Sequence, residues 1–343
     1  MSRRIVYWAS VLFALVGTPV SVASLLPQGA PSLFPADPAA AHLLTIELHL
    51  PLKQLKKLGP TLDEAFPARL AMADGTDLPL DISPRGKSRR KTCSHPPLRL
   101  NFKKKATTGT LFEGQNKLKL VTHCSRKLSR GGYLAAEMLA YRLFNLLSEV
   151  SFRVRAVEVT YVDSDDLSRQ TWPAFLIEHK RQLAARVGGE LLDTEAVELA
   201  QLNASYAAMV SIFSYMIGNI DFSLRRGPAN ECCHNAVPIA LTDTFSVPYD
   251  FDASMLVGAP YTAASSGSGK PRRVYRGYCA HNAQLLSAVD DVLAQQDAVL
   301  KMTREFSDLP GLKHARAERL LRKFFAVLSS EKAVRRKLVN NCR

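Results

Sequence analysis

The stretch whose reading decides the fold runs Met216-Ile-Gly-Asn-Ile-Asp221, then His234-Asn235, then Val247-Pro-Tyr-Asp250-Phe-Asp252. An apolar helix stops at Gly218 and a lone aspartate follows on a loop. An asparagine comes next, and a pair of acidic residues then closes an apolar strand. Behind Gly218, Asp193 or Thr194 reads as the N-cap of a long helix reaching about Ile217. That helix is apolar nearly all round (Val197, Leu202, Met209, Ile212, Phe213, Met216), the mark of a buried central element. Asp, Asn and Asp on neighbouring loops are what a nucleotide-dependent phosphotransferase uses: one carboxylate orients the attacking hydroxyl, and an amide with a second carboxylate holds magnesium. They are also common turn and cap residues, so plain loop ends are the other reading.

Upstream, strands dominate. Leu43 to Leu50 alternates, with Leu44, Ile46, Leu48 and Leu50 on one face. Pro51 to Leu58 is a short amphipathic helix ended by Gly59-Pro60. Leu70–Met72 and Leu78–Ile82 form a hairpin across Asp74-Gly75. The run Pro84-Arg-Gly-Lys-Ser-Arg-Arg-Lys-Thr-Cys93 is either a solvated basic loop or one that faces phosphate, since arginine grips phosphate oxygens bidentately. Leu98–Phe102 and Asn116–Val121 alternate again; Lys117 and Lys119 share the face opposite Leu118 and Leu120. Tyr133 to Leu147 is an amphipathic helix with Glu137 one turn inside it. Val154–Val162 and Trp172–Glu178 are further strands. From about 190 onward helices dominate, ending with Ala315–Leu328. The expected class is therefore α+β, with a β-rich lobe over 42–178 and a helical lobe over 179–343.

The bulk properties constrain partners. The 343 residues carry a formal net charge of +14 with ordinary hydrophobic content, which favours a polyanionic neighbour. Arg3 and Arg4, the apolar run Ile5–Val16 and the small residues Ser21-Val22-Ala23-Ser24 form a signal peptide over 1–23, cleaved near Ala23. An uncleaved N-terminal anchor is the other reading of that run. Residues 24–41, rich in Pro and Ala, read as a tether. The mature chain is then expected outside the cytoplasm, periplasmic or extracellular, without a transmembrane domain and without nucleic acid as a partner. Six cysteines (93, 124, 232, 233, 279 and 342) suit an oxidising compartment. Cys93 and Cys124 flank a predicted hairpin and form the expected disulfide. Adjacent Cys232 and Cys233 lack zinc-ligand spacing.

Taken together, these parts resemble the spore coat protein H (CotH) kinase family. The resemblance rests on Arg85-Gly-x-Ser88, Leu98-Arg-Leu-Asn-Phe-Lys103, Leu111-Phe-Glu-Gly114, Lys117-Leu-Lys119-Leu-Val and Pro248-Tyr-Asp250-Phe-Asp252, across roughly residues 80–256. It implies a bilobal protein-kinase-like fold that binds ATP with magnesium, or manganese, and transfers phosphate to a protein or other hydroxyl. On matching positions, Arg85 and Lys119 would meet phosphates, with Lys117 as the alternative lysine. Glu137 would pair with Lys119, and Glu178 would lie at the hinge beside the adenine. Asp221 would be the catalytic carboxylate, and Asn235, Asp250 and Asp252 the metal ligands.

The sequence also departs from kinase patterns. Fourteen residues separate Asp221 from Asn235, against about five in the usual catalytic loop. Ala253 stands where glycine usually follows, and no Gly-x-Gly-x-x-Gly precedes Lys119. Two other functions therefore stay open: a non-catalytic scaffold binding an anionic envelope polymer or acidic partner, and a protein nucleotidyltransferase. Lys119 could equally be a solvated strand lysine, Glu137 a surface ion-pair partner, and Asp250 and Asp252 strand-end caps.

Overall fold

The computed structural model describes residues 32–37, 41–57, 64–86, 88–125, 132–227, 232–263 and 273–343. Period-two alternation from Leu44 to Ile177 yields seven strands: β1 Leu44–Leu50, β2 Phe66–Ala71, β3 Asp77–Pro84, β4 Leu98–Phe102, β5 Lys117–Thr122, β6 Val154–Asp163 and β7 Arg169–Ile177. They close into a barrel in the order β1-β2-β3-β4-β5-β7-β6. Closure comes from a parallel pairing of β1 with β6, running from Leu44 opposite Val157 to Leu50 opposite Asp163. The inward residues fill the lumen: Ile46, Leu48, Leu70, Ile82, Leu100, Leu120, Val157, Val159 and Leu176 are all buried there. Each such Leu, Ile or Val contributes about 1.5–3 kcal/mol by leaving water.

This closed barrel overturns the bilobal kinase-like architecture. The helical part is not a second lobe across a cleft. A single apolar cluster runs from the outer barrel face (Val121, Val154, Ala156, Phe175, Ile177) through α3, Tyr133–Leu147, into the C-terminal helices. The alternating pattern was right for strands but could not say which strand meets β1. That pairing joins residues more than a hundred positions apart, and only the packed lumen selects it.

Several local expectations also change. The short helix α1 spans Leu52–Lys57, and the basic run after Pro84 contains a second, α2 at Ser88–Thr92. There Arg89 is buried rather than solvated. After α4, Lys180–Arg186, the expected long helix from Asp193 or Thr194 shortens to α5, Ala204–Ile217. Asn203 caps it, accepting a bond from the Tyr206 amide, because Glu190–Leu191 (β8) is drawn instead into a small sheet with β9, Ala236–Ala240, and β10, Thr244–Pro248. The supposed tether is partly docked: Leu33 and Phe34 are buried on the barrel, and Arg155 and Arg153 donate to their carbonyls. The signal-peptide and anchor readings of residues 1–23 lie outside the described residues, as does most of the Thr262–Lys270 loop. Among the described residues, no helix is long and apolar enough to cross a membrane. Disulfides join Cys93 to Cys124, Cys232 to Cys233 and Cys279 to Cys342.

Candidate functional site

The site is assembled where α5 ends. Gly218 closes the helix at φ 67°, the left-handed region that favours glycine. A Cβ there would lie 2.6 Å from the Met255 side chain. This close approach lets the Met255 and Leu256 amides bond the Gly218 and Ile217 carbonyls. The Asp221 loop is thereby laid beside the 250–254 segment. The insertion before Asn235 leaves and returns through one bridge, with Ser223 and His234 exchanging backbone bonds of 2.9 and 3.2 Å. Fourteen residues of sequence thus collapse to side-chain contact.

Asn235 donates its amide to the Asp221 carbonyl at 2.8 Å and to Asp221 Oδ2 at 3.1 Å. His234 Nε2 donates to Asp221 Oδ1 at 2.8 Å, and the Asp221 amide bonds Asn219 Oδ1 at 3.0 Å. The Asp221 carboxylate is therefore oriented from both sides while staying 48% exposed. Opposite Asn235, the Tyr249 amide bonds the Asn235 carbonyl at 2.9 Å, which places Asp250 next in line.

Asp250 is unusual for its lack of partners. Its amide bonds the buried Tyr141 hydroxyl at 2.9 Å. Its half-buried carboxylate makes no hydrogen bond or ion pair among the described residues, and it does not cap the turn that follows. Asp250 and Asn235 both sit at positive φ, 64° and 48°. Such non-glycine positions cost free energy and cluster at functional sites.

Lys119 projects from the outer face of β5 with its Nζ 4.0 Å from the Tyr249 ring centroid. Burial, reinforced by the charge of Arg85, pushes its ammonium down to about 7, while Asp250 acts the other way. The expected Lys119–Glu137 pair is not what forms. Glu137 instead bonds Arg89, whose Nε also reaches Asp252 Oδ2 at 2.9 Å. Burial pushes the Glu137 and Asp252 carboxyls upward and the Arg89 guanidinium opposes it. Glu178 is likewise spent: it holds Arg186 through two 2.9 Å bonds and the Arg153 amide at 3.1 Å. That clamp ties α4 to the barrel, so the Glu178 carboxylate is a structural staple and not a hinge group beside an adenine.

A divalent cation can be tested against these donors. Among the described residues, no three His, Cys, Asp or Glu side chains converge as a metal cluster. Magnesium, however, is commonly held by one or two protein oxygens with waters and phosphates. Asp250 fits that demand, and Asn235, whose amide oxygen makes no hydrogen bond among the described residues, is joined to the same segment through the Tyr249 amide. Asp252 does not fit, because Arg89 occupies it.

Around Lys119 the surface is cationic. Arg85, Arg99 and Lys180 depress the Lys119 ammonium. Burial, then Arg181, Lys119, Lys180 and Lys117, lowers His179 to about 4. Arg85, Arg99, Lys117, Lys180 and Arg181 have no carboxylate partner among the described residues. The sequence pointed to Lys119, Asp221, Asn235 and Asp250, and these lie together. Arg89, His234, Tyr141 and Tyr249 were missed as contributors. Only the Arg-rich run and the His234-Asn235 adjacency signalled two of them. Compared with known proteins, the chain matches no family model and no curated protein.

Proposed function

We propose that this chain transfers the γ-phosphoryl group of ATP, bound with magnesium or manganese, to a hydroxyl group of a protein. Asp250 and Asn235 would hold the metal, which supplies charge neutralisation to the phosphates. Lys119 and Arg85, backed by Arg99 and Lys180, offset the remaining phosphate charge. Asp221, fixed by His234 and Asn235, orients the acceptor hydroxyl. Phosphoryl transfer is mostly positioning and charge neutralisation, so such a set suffices without further covalent chemistry. Arg89 takes the place expected of Lys119 beside Glu137, making Glu137 a positioning residue for the Asp252 turn. The signal-peptide pattern and three disulfides support an exported enzyme.

The observation that carries this reading is the Asp250 carboxylate, without a partner among the described residues and at positive φ, set beside a depressed lysine and the Asp221–Asn235 pair. The test is thermal unfolding of the purified chain with ATP and magnesium or manganese. A ligand at a hundred times its dissociation constant stabilises by about 2.7 kcal/mol. The shift is expected in the wild type and lost in Asp250→Ala; no shift with either metal ends the reading. Intact-mass measurement then separates phosphoryl from nucleotidyl transfer.

The unpaired cations around Lys117 and Arg181 favour a second reading, a non-catalytic binder of an anionic envelope polymer. Salt-sensitive binding that survives Asp221→Ala, with no ATP-dependent shift, would select it.

A further inference from the structure

A groove of about 930 Å³ opens between the C-terminal helices and residues 273–275. The helices are α9, His314–Leu328, which follows α6 (Pro260–Ala263), α7 (Asn282–Ala294) and α8 (Gln296–Glu305), and α10, Glu331–Lys337. Its floor is aromatic, from Tyr215 and Tyr275, and its cations are Arg273, Lys323 and Lys337. Among the described residues, no acidic one lines it. Lys323 and Lys337 are exposed and have no ion pair among the described residues. Arg273 is fixed: it donates to the Met216 and Leu320 carbonyls at 3.1 and 3.0 Å, and its buried Nε has no bond among the described residues.

The groove is also tied to Asp221. Tyr215 lies on the last turn of α5, one turn before the Gly218 cap. Three residues after Arg273, Arg276 donates to the Ile220 carbonyl at 2.9 Å. The segment that continues from the wall of the groove is therefore bonded to the residue preceding Asp221. Along that wall, the backbone amides and carbonyls of Arg273 to Arg276 make no hydrogen bond among the described residues.

We propose that this groove docks an acidic peptide segment of the acceptor protein and so presents a nearby hydroxyl to Asp221. The second half of this inference rests on the phosphotransferase reading; the docking itself does not. Three cations without acidic neighbours select negative charge. Two tyrosines accept an apolar side chain, being apolar bodies with polar tips. Free main-chain donors and acceptors suit a peptide, which recognises such edges through its own backbone. A lipid headgroup would satisfy the cations but leave that main chain unmatched.

Fluorescence anisotropy on the full chain tests this, using a labelled peptide of Glu and Asp with one Leu and one Ser. Its counterpart replaces every acid by Gln or Asn, and phosphatidylglycerol vesicles form the third arm. The acidic peptide is expected to bind in a salt-sensitive way. The exposed double variant Lys323→Glu/Lys337→Glu should weaken it at least about tenfold while leaving the magnesium–ATP thermal shift unchanged. Equal binding of the amide peptide, no effect of the double variant, or vesicle binding without peptide binding would overturn the proposal. Peptide binding that follows these rules without any magnesium–ATP shift would uphold the docking groove and end the phosphotransferase reading.

Discussion

Glu137 and Asp252 are 1% and 8% exposed and share one guanidinium. Asp221, 31 positions before Asp252, and Asp250, two before it, are half-buried: His234 and Asn235 hold the first carboxylate, and no side chain among the described residues bonds the second. The same residue types thus meet two fates, one set joining α3 to the Asp252 turn and the other on the neighbouring loops. Where solvent is excluded, a carboxylate must be paired, since an isolated buried charge is too costly. Where solvent remains, it can stay uncommitted and keep its lone pairs for a ligand. The acidic residues that the sequence groups together thus divide into a structural pair and the pair that the proposed phosphotransfer would use, its chemical pair.

The largest test removes the shared cation. Arg89→Ala leaves two buried carboxylates uncompensated and should lower unfolding free energy by about 3–5 kcal/mol at pH 8. Both groups already have raised folded-state values, about 7 for Glu137 and about 6 for Asp252, with burial the first cause. The folded protein therefore holds protons that the unfolded chain releases, so stability is lost as pH rises through those values. Without Arg89 this dependence steepens. Denaturant unfolding should show the deficit shrinking from pH 8 toward pH 5; an unchanged deficit would mean that Arg89 acts through packing alone.

The opposite pattern is expected of the chemical pair. Asp221→Asn keeps the size of the side chain and should cost about 10²- to 10⁴-fold in turnover. Its effect on stability should stay within about 0.5 kcal/mol, as for exposed substitutions generally. Asp250→Ala, at φ 64°, should cost about 1–2 kcal/mol, still less than Arg89→Ala, while abolishing the metal-dependent ATP shift. If either variant unfolds as readily as Arg89→Ala, the two pairs are not distinct.

This division also shows what sequence could and could not reveal. Alternation at Ile46, Leu48 and Leu50 gave the strand and its inner face, because period two is a local property. Gly218 gave the end of α5 for the same reason. The barrel closure, the capture of β8 by β9 and the docking of Leu33 and Phe34 all depend on distant partners that no local pattern encodes. In the site, Asp221, Asn235 and Asp250 were legible as polar residues ending apolar elements. Asp252 looked identical to Asp250 because the difference lies in Arg89, 163 positions away. Glu178 was equally misleading, since the residue after a strand end can serve a ligand or a clamp.

Lys119 sharpens the chemical side of the comparison. Its ammonium is pushed down to about 7, so it is partly neutral at physiological pH. An anionic ligand favours the charged form, and binding should therefore take up a proton. Magnesium–ATP affinity measured by calorimetry should fall as pH rises above 7, approaching about tenfold per pH unit once the lysine is neutral. Lys119→Arg, always charged, should flatten that dependence. A flat wild-type profile between pH 6 and 9 would remove Lys119 from the phosphate contacts.

The smallest expected effect concerns Tyr249, which joins Lys119 to the Asn235–Asp250 backbone. Its ring faces the ammonium at 4.0 Å, an interaction of about 0.5–1 kcal/mol at partly exposed sites. The ring stabilises only the charged lysine, so it opposes the burial that lowers the Lys119 value. Tyr249→Leu should therefore drive that value further below 7, by less than about one unit, while Tyr249→Phe should hold it. Nuclear magnetic resonance of the labelled lysine side chain reads this directly. A rise in Tyr249→Leu would mean that the ring mainly desolvates Lys119. The ammonium would then owe its remaining charge to Asp250, and Asp250→Asn should lower its value more than any change at Tyr249.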